Sequence, residues 1–347
     1  MNASDQGNDS VTATSENAGS EFGRTSGGGG ASTIQRDWNN PAIGMFDGVA
    51  QVPGSAKPDP ILVASEVSRS FGGLRAVDVE HVEIQRGAIT ALIGPNGAGK
   101  TTFFNLLTNF DTPDSGRVSF DGENTTGVRS HELASRGMVR TFQLTKVLAK
   151  MSVIDNMKLA GQAQAGESMW RALTNSWREQ ERGVEQRALD VLDEFNMIHM
   201  KDEFAGALSG GQRKLLEMAR AMMAQPRLIM LDEPMAGVNP ALTQSLLGHV
   251  KRLRSEGISV VFVEHDMDVV QDISDWVVVM AEGRVIAEGP PGAIGANPAV
   301  VDAYLGSSHA ALTEEIRSVS DGGSEAAGEP ESSAESADQA KLGGVDE

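Results

Sequence analysis

The chemistry of this 347-residue chain is set by one segment, Gly94-Pro95-Asn96-Gly97-Ala98-Gly99-Lys100-Thr101-Thr102. The segment follows an apolar run, Ala88–Ile93, that is typical of a buried strand. It leads into Thr101–Leu107, whose apolar face is typical of a helix. A strand, a glycine-rich turn, a Lys-Thr pair and a helix, in this order, are the context of a phosphate-binding P-loop. The alternative, a glycine-rich turn with an incidental lysine, is disfavoured by that context.

Each residue type in this loop has a reason to be there. Gly94, Gly97 and Gly99 allow turns with positive φ and let backbone N–H groups approach an anion without a Cβ in the way. The helix N-terminus directs the positive end of its dipole to the same place. Lys100 would reach the β- and γ-phosphates, and the Thr101 hydroxyl would bind Mg²⁺. The segment therefore predicts a nucleoside triphosphate site with Mg²⁺, lined by residues 94–102.

Composition excludes several other classes of function. The net charge is −19, from 48 acidic and 29 basic residues, so the basic footprint of a nucleic-acid-binding protein is missing. Apolar residues make up 40%, which is enough for a substantial core, and the absence of cysteine excludes disulfides and thiolate metal sites. The first 20 residues lack the features of a secretory signal. No uninterrupted apolar stretch approaches the roughly 20 residues that span a bilayer.

Composition also indicates where the folded part begins and ends. Residues 1–58 are predicted to be a disordered tail and linker, because Ser, Thr, Gly and acidic residues dominate their first part. Within them, 34–58 contain a few apolar residues, and docking on the domain is the alternative to a linker. Residues 59–306 are expected to form one nucleotide-binding domain, with a helical subdomain at about 151–220. The remainder, 307–347, is expected to be an acidic disordered tail.

The order of apolar segments predicts an α/β fold with a mainly parallel sheet. Arg227–Leu231 and Ile258–Val263 are continuous apolar runs, as in strands covered on both faces, and Pro240–Ser255 between them is predicted to be a crossover helix. Val277–Met280 and Arg284–Ala287 are predicted to form a closing hairpin around Glu282-Gly283.

Two carboxylates follow one of these strands. Leu228-Ile229-Met230-Leu231 is an apolar strand that ends in Asp232 and Glu233. Ligands of open α/β sheets bind at this end of the strands. We expect Asp232 to hold Mg²⁺, directly or through water, and Glu233 to be the base that polarises the attacking water. A helix N-cap or a turn is the alternative explanation for two acidic residues here.

A second glycine-rich turn, Ser209-Gly210-Gly211-Gln212, precedes that strand and begins a helix. Ser209 is a natural N-cap, and the exposed N–H groups with two glycines form a second anion site. With Leu208, this segment resembles the signature motif of ATP-binding-cassette (ABC) ATPases. The resemblance implies a P-loop NTPase fold of the ABC type, with a mainly parallel core, an antiparallel β subdomain and a helical subdomain that carries the signature motif.

The resemblance assigns roles to further positions. Gln143 matches the glutamine that contacts Mg²⁺ or water and senses the transmembrane partner. His265 matches the switch histidine that contacts the γ-phosphate, and Phe71 matches the aromatic residue that stacks on adenine. Ala236-Gly237-Val238-Asn239-Pro240 occupies the position of the D-loop but departs from the usual Ser-Ala-Leu-Asp, which leaves a role of Asn239 open.

The resemblance also implies partners. In ABC ATPases the signature motif of one subunit completes the phosphate site of the other, and this chain has one P-loop and one signature motif. We therefore expect two such subunits, identical or paralogous, to sandwich two ATP molecules with Mg²⁺. The importers discussed next usually pair two different ATPases, which favours a heterodimer.

Several short motifs resemble the ATP-binding subunits of branched-chain amino-acid importers. They are Phe71-Gly72-Gly73-Leu74-Arg75-Ala76-Val77, Arg140-Thr141-Phe142-Gln143, Glu233-Pro234-Met235-Ala236-Gly237-Val238-Asn239-Pro240, Glu264-His265-Asp266-Met267 and Ala303-Tyr304-Leu305-Gly306.

This resemblance implies ATP hydrolysis at the cytoplasmic face of the membrane, on transmembrane permease subunits that receive cargo from a solute-binding protein. By analogy, Lys146–Asn156 and Gln162–Arg182 would dock on the permease. Cassettes for urea or amide import, cassettes for lipid export, and non-transport ABC ATPases bound to ribosomes or DNA are the alternatives. A cassette unable to hydrolyse ATP is disfavoured by intact Lys100, Asp232, Glu233 and His265.

Overall fold

The computed structural model describes residues 44–141, 147–161 and 176–305, with the backbone alone for 176–180. Two sheets and a set of helices make up this part of the chain. The strands are β1 (Pro60–Phe71), β2 (Leu74–Gln85), β3 (Ile89–Ile93), β4 (Ser115–Phe120), β5 (Glu123–Asn124), β6 (Met138–Arg140), β7 (Leu228–Asp232), β8 (Ser259–Val263), β9 (Trp276–Ala281) and β10 (Arg284–Gly289).

Helices follow or connect most of these strands. They are α1 (Lys100–Leu107), α2 (Ser130–Ser135), α3 (Val153–Leu159), α4 (Ser176–Glu194), α5 (Gly210–Met223), α6 (Pro240–Ser255), α7 (Met267–Ile273) and α8 (Pro291–Ile294). Short 3₁₀ turns occur at Ile198–Met200 and Ala205–Ala207, and the backbone is helical again over 298–305.

The larger sheet has the strand order β10-β9-β3-β8-β7-β6. All of its strands run parallel except the edge strand β10, which pairs with β9 in an antiparallel hairpin. Every residue of β3, β7 and β8 is buried, because helices or the second sheet cover both faces. This is why those strands are continuous apolar runs in the sequence.

The smaller sheet is antiparallel, with the order β2-β1-β4-β5. Strands β1 and β2 form a long hairpin that pairs Leu62 with Ile84 and Phe71 with Leu74. The tip is Gly72-Gly73, both with positive φ, which brings the chain back in two residues. The buried face of this sheet shares a hydrophobic cluster with α1 and the larger sheet, so the antiparallel hairpin is fixed next to the P-loop.

The second hydrophobic cluster joins the opposite face of the parallel sheet to α3, α4, α5 and α6. Helix α3 begins at an N-cap, Ser152, whose hydroxyl accepts from the Asp155 N–H, and α6 begins at Asn239 with Pro240 in its first turn. These caps explain why both helices start where they do. Helix α5 leads from the exposed turn at Ser209 into this cluster, with Leu215, Leu216 and Met218 buried.

Residues 44–58 correct the prediction of a linker. The ring of Phe46 stacks on Trp276, with centroids 4.7 Å apart. Lys57 and Glu288 form an ion pair of 2.9 Å whose two side chains are both 0% exposed. The composition of this segment is polar enough to suggest a linker, but one aromatic ring and one paired lysine fix it to the edge of the parallel sheet.

The fold class is confirmed: a mainly parallel sheet, an antiparallel β sheet and a helical region are all present. The crossover helix Pro240–Ser255 and the closing hairpin also occur as predicted. Strands β1 and β2 stay paired up to the tip of their hairpin. The predicted tails at 1–33 and 307–347 lie outside the described residues, and the domain limits stay predictions. Within the described parts, no helix is both long and apolar enough to cross a bilayer.

Candidate nucleotide-binding site

Four neighbouring parallel strands bring the candidate residues to one edge of the sheet. In the order β3-β8-β7-β6, the strands end at the P-loop, at Glu264-His265, at Asp232-Glu233 and at Arg140. The register aligns Leu92 with Val263 and Val263 with Asp232, so these ends are level with one another. Carboxyl ends of parallel strands are where open α/β sheets bind ligands.

The shape of the P-loop requires glycine at two positions for reasons of space. A Cβ on Gly94 would lie 2.0 Å from the carbonyl oxygen of Met280, and one on Gly99 would lie 2.4 Å from that of Ala76. Both residues also have positive φ, 148° and 93°. Gly97 has a φ of 78° but open space around it. The loop is therefore pressed against the sheet at both ends and is open in the middle.

Lys100 begins α1 and folds over the loop. Its Nζ donates to the carbonyl oxygens of Gly94 (2.7 Å) and Pro95 (2.9 Å). Burial lowers the pKa of Lys100 below its ordinary value, and the negative charge of Glu233 opposes this shift. Helix α1 has no side-chain cap, and the N–H groups of a first helical turn lack intrahelical acceptors, so they are available to an anion.

Asp232 is held by a buried ion pair with Arg140. Arg140 Nη2 donates to Asp232 Oδ2 at 2.9 Å, and the two side chains are only 7% and 5% exposed. The other end of the guanidinium donates to Asn105 Oδ1 (2.6 Å) and Thr108 Oγ1 (3.2 Å), near the end of α1. Arg140 therefore ties the carboxylate to the helix that carries Lys100 and Thr101.

Glu233 starts a turn that leaves the sheet. Its backbone has a positive φ of 47°, and its N–H donates to the carbonyl of Val263 at 3.1 Å on the adjacent strand. Lys214 of α5 donates to the carbonyl oxygens of Glu233, Pro234 and Ala236. The base candidate is thus placed by one hydrogen bond from the sheet and by one lysine from the helical region.

The next strand end carries a buried acid and an exposed histidine. Glu264 is 1% exposed, and its carboxylate accepts from the N–H groups of Met235 (3.0 Å) and His265 (3.4 Å). Burial raises the pKa of Glu264, although these two N–H donors oppose the shift. The His265 side chain is 66% exposed. Glu264 therefore links the turn after Glu233 to the backbone of the switch-histidine candidate.

The signature segment is an exposed, capped helix start. Ser209 Oγ accepts from the Gln212 N–H at 3.3 Å, and Gln212 Oε1 accepts from the Ser209 N–H at 2.9 Å, a capping box. Gly211 packs on α6, where an added Cβ would lie 1.9 Å from Leu242 Cδ2. Among the described residues, none of the hydrogen bonds of Ser209 or Gln212 reaches this chain's own P-loop.

The remaining candidates are placed as follows. Phe71, at the hairpin tip, is 49% exposed, and the Arg69 guanidinium lies 4.9 Å from its ring centroid. Asn239 is the N-cap of α6, where its Oδ1 accepts from the Leu242 N–H at 3.0 Å. An asparagine thus supplies the same cap that the usual aspartate of a D-loop could supply. Gln143 and Phe142 lie outside the described residues.

These residues fit ATP and Mg²⁺. The phosphates of ATP are negatively charged, and three features of the site can bind them. These are the open loop, the uncapped N–H groups of α1 and the amine of Lys100. Within the described ranges, no group of three or more His, Asp or Glu residues could hold a metal ion by itself. Mg²⁺ commonly takes one or two protein ligands together with substrate phosphates. The Thr101 hydroxyl and the Asp232 carboxylate would be such ligands, and this role stays a prediction.

Sequence reasoning missed the residues that hold the site together. Arg140 and Glu264 are visible in motifs, yet their partners come from other strands and helices, and Lys214 gave no local signal. Tyr304 is a further case, because its hydroxyl lies close to the Gly94 N–H; burial raises its pKa and that N–H opposes the shift. A charged residue at the end of a buried strand is the clue that could have found Arg140 and Glu264.

Fold and site together define a P-loop nucleotide-binding protein with a separate signature helix. Comparison with known families agrees: residues 77–236 match the ABC transporter family, and residues 284–310 match a family described as branched-chain amino acid ATP-binding cassette transporter. The chain is 42% identical, over 71% of its own length and 95% of the relative's, to a probable branched-chain amino acid transport ATP-binding protein of Archaeoglobus fulgidus.

Other relatives give the same result. A high-affinity branched-chain amino acid transport ATP-binding protein of Pseudomonas aeruginosa is 41% identical, covering 71% of this chain and 98% of that protein. A crystal structure of a nucleotide-free ATP-binding cassette from an ABC transporter superposes with a TM-score of 0.62 at 36% identity, covering 71% and 98% of the two chains. The chain belongs to the family of ABC transporter ATP-binding proteins.

Members of this family are ATPases, bind ATP, dimerise and work with transmembrane permease subunits. The predicted family, fold and class of activity are therefore confirmed. The roles of individual site residues stay predictions.

Proposed function

We propose that this chain is the ATP-hydrolysing subunit of an importer of branched-chain or similar small amino acids, bound to its permease at the cytoplasmic face of the membrane. The observation that carries the proposal is the agreement between two comparisons. Relatives named for branched-chain amino acid transport are matched over 95% and 98% of their length, and the segment 284–310 matches a family with the same cargo in its description.

The chain's own residues support ordinary phosphoryl transfer. Lys100 and the N–H groups of the P-loop and of the first turn of α1 bind and orient the phosphates of ATP, and they stabilise the charge that develops on the γ-phosphate. Glu233 orients a water molecule and accepts its proton. His265, exposed beside this edge, contacts the γ-phosphate. Thr101, Asp232 and Gln143 would hold Mg²⁺. The bound ion would neutralise part of the negative charge of the phosphates.

Phe71 supplies a flat apolar surface for the adenine ring, since almost half of its side chain is exposed at the hairpin tip. Ser209, Gly210, Gly211 and Gln212 complete the phosphate site of a second cassette, because the hydrogen bonds of Ser209 and Gln212 within the described part of the chain do not reach its own P-loop. Two cassettes, which we infer to be paralogues, therefore sandwich two ATP molecules.

An apolar surface on the helical region supports docking of a permease. Leu148, Leu159 and Phe204 are 45%, 53% and 64% exposed. Asn156 is fully buried and holds the loop before α3 through bonds to the Leu148 N–H (2.8 Å) and carbonyl (3.1 Å). The described part of the predicted docking segment, 147–156, thus contains a loop held by Asn156 and the exposed apolar side chain of Leu148, and exposed apolar patches mark interfaces. Residue 146 and most of the second predicted segment, 162–175, lie outside the described residues.

The test is purification of the tagged full-length chain from native membranes in mild detergent. Recovery of two polytopic permeases and a second cassette, with leucine-stimulated ATP hydrolysis after addition of the solute-binding protein, is the expected result. Stimulation of ATP hydrolysis by urea or a short amide, and none by leucine, would show that the chain serves a related importer with another cargo. A complex that contains ribosomes or nucleic acid and lacks a permease would refute the transport function.

A further inference from the structure

Lys214 joins the signature helix to the turn that carries Glu233. The side chain leaves α5 one turn after Gly210, and its Nζ donates to three carbonyl oxygens: Glu233 (3.0 Å), Pro234 (3.1 Å) and Ala236 (2.6 Å). An ammonium group has three N–H donors, and all three have an acceptor here. The contact therefore fixes the turn 233–236 at several points of its backbone through a single side chain.

The opposite side of the same turn is held by Glu264. Its carboxylate accepts from the Met235 N–H at 3.0 Å and from the His265 N–H at 3.4 Å. Lys214 is about half buried, and burial lowers its pKa, an effect opposed by the acids facing it, which are Glu264, Glu217 and Glu233. A cation on one side and a carboxylate on the other thus clamp one four-residue turn.

We propose that Lys214 is a positioning residue that couples the signature helix α5 to the base Glu233 of the same chain. The inference rests on the proposed function, in which the N-terminus of α5 meets the ATP of the partner cassette. A movement of α5 when it engages that ATP is then transmitted to 233–236 through Lys214. Hydrolysis at one site becomes dependent on occupation of the other.

The P-loop does not share this connection. Its ends are pressed against Met280 and Ala76 of the sheets, and Lys100 bonds only to the loop's own carbonyls among the described contacts. Removal of the Lys214 contact should therefore change the rate and cooperativity of hydrolysis while leaving ATP affinity almost unchanged. A merely structural lysine would change stability and affinity together.

The experiment compares wild type with Lys214→Met in the full complex purified with its permeases. Lys214→Arg is the conservative variant. Lys251→Met is the matched control, because that lysine lies on α6, bonds to Asp272 and is 43% exposed. The measurements are amide hydrogen exchange over 233–238, affinity for a fluorescent ATP analogue, and the rate of hydrolysis as a function of ATP concentration.

For Lys214→Met we expect amide exchange over 233–238 to become about tenfold faster, since hydrogen bonds from a charged donor are lost. A displacement of about 1 Å at a catalytic group can cost roughly 100-fold, so kcat should fall about 10- to 100-fold. The Hill coefficient should fall to about 1 and ATP affinity should change less than about twofold, since binding groups are untouched. Lys214→Arg should recover part of the rate and the cooperativity.

Three outcomes overturn the inference: unchanged exchange over 233–238, a variant with the Hill coefficient of wild type, or a wild-type complex without cooperativity. Equal losses of ATP affinity and of kcat would also overturn it, because they indicate a structural role. A wild-type complex with no ATP hydrolysis would refute the proposed function itself, and that result is visible before any variant is made.

Discussion

Removal of one partner from the ion pair between Lys57 and Glu288 should strongly destabilise the domain. Both side chains are 0% exposed, with Nζ and Oε2 2.9 Å apart. Glu288 also accepts from Trp276 Nε1 at 3.0 Å and from the Ser55 N–H at 3.2 Å. The perturbation is Lys57→Met, which keeps the apolar stem and removes the charge.

The expected loss in the free energy of unfolding follows from the buried Glu288 carboxylate, which Lys57→Met leaves without its partner. Loss of one partner from a buried pair costs about 3–5 kcal/mol, because the other charge stays buried without compensation. The N–H donors that remain on Glu288 place the expected loss near the lower end, about 3 kcal/mol. For a domain of this size that loss lowers Tm by about 6–12 °C. The double variant Lys57→Met/Glu288→Gln carries no buried charge and should be about 1–2 kcal/mol more stable than the single variant.

Urea unfolding of the full chain without nucleotide measures these differences. Lys251→Met is the matched control, since its partly exposed pair with Asp272 should be worth less than about 1 kcal/mol. A chain that starts at residue 44 should be as stable as the full chain, and one that starts at residue 59 should lose at least as much as Lys57→Met. A single variant within about 1 kcal/mol of wild type, or a double variant less stable than the single one, would refute the reasoning.

Three further predictions concern the site. Glu233→Gln should keep ATP binding and lower steady-state hydrolysis at least about 100-fold. It should also trap the ATP-bound dimer, which light scattering in the presence of ATP would detect. Hydrolysis at the normal rate would show that another group is the base. Gly94→Ala should abolish binding of a fluorescent ATP analogue, because its Cβ would collide with the carbonyl of Met280, whereas Gly97→Ala, with open space, should retain measurable binding. Burial raises the pKa of Glu264, so the unfolded chain ionises this group at lower pH than the folded chain. Stability is therefore lost as the pH rises above the unfolded pKa and through the folded pKa, and Glu264→Gln should diminish this loss in urea unfolding.

The parts of the site that the sequence predicts are those with a local signature. The P-loop combines a buried strand, glycines and a helix start within nine residues, and the strand before Asp232 is a continuous apolar run. Each of these patterns follows from the requirements of a single segment. The parallel sheet then brings the segments to one edge, because the carboxyl ends of its strands share that edge.

The parts that the sequence does not predict depend on pairs that are distant in the chain. Arg140 lies 92 residues from Asp232, and Lys57 lies 231 residues from Glu288. A lone lysine in a polar segment has the composition of a linker, and only the buried carboxylate opposite shows that Lys57 belongs to the domain. A helix that presents a lysine to backbone carbonyls, as α5 does with Lys214, leaves no pattern in sequence at all, since carbonyl acceptors are present at every residue.

The two halves of the site are anchored differently, and this separates ATP binding from hydrolysis. The P-loop is fixed to the sheets, by the close contacts of Gly94 and Gly99 and by the bond from the Gly283 N–H to the Ala98 carbonyl. The turn with Glu233 is bound on one side to the sheet, through Val263 and Glu264, and on the other side to the helical region, through Lys214. A rotation of that region relative to the sheet would therefore displace the base before it disturbs the phosphate-binding loop. Under the proposed roles of these residues, ATP binding would therefore tolerate positions of α5 at which hydrolysis would not proceed.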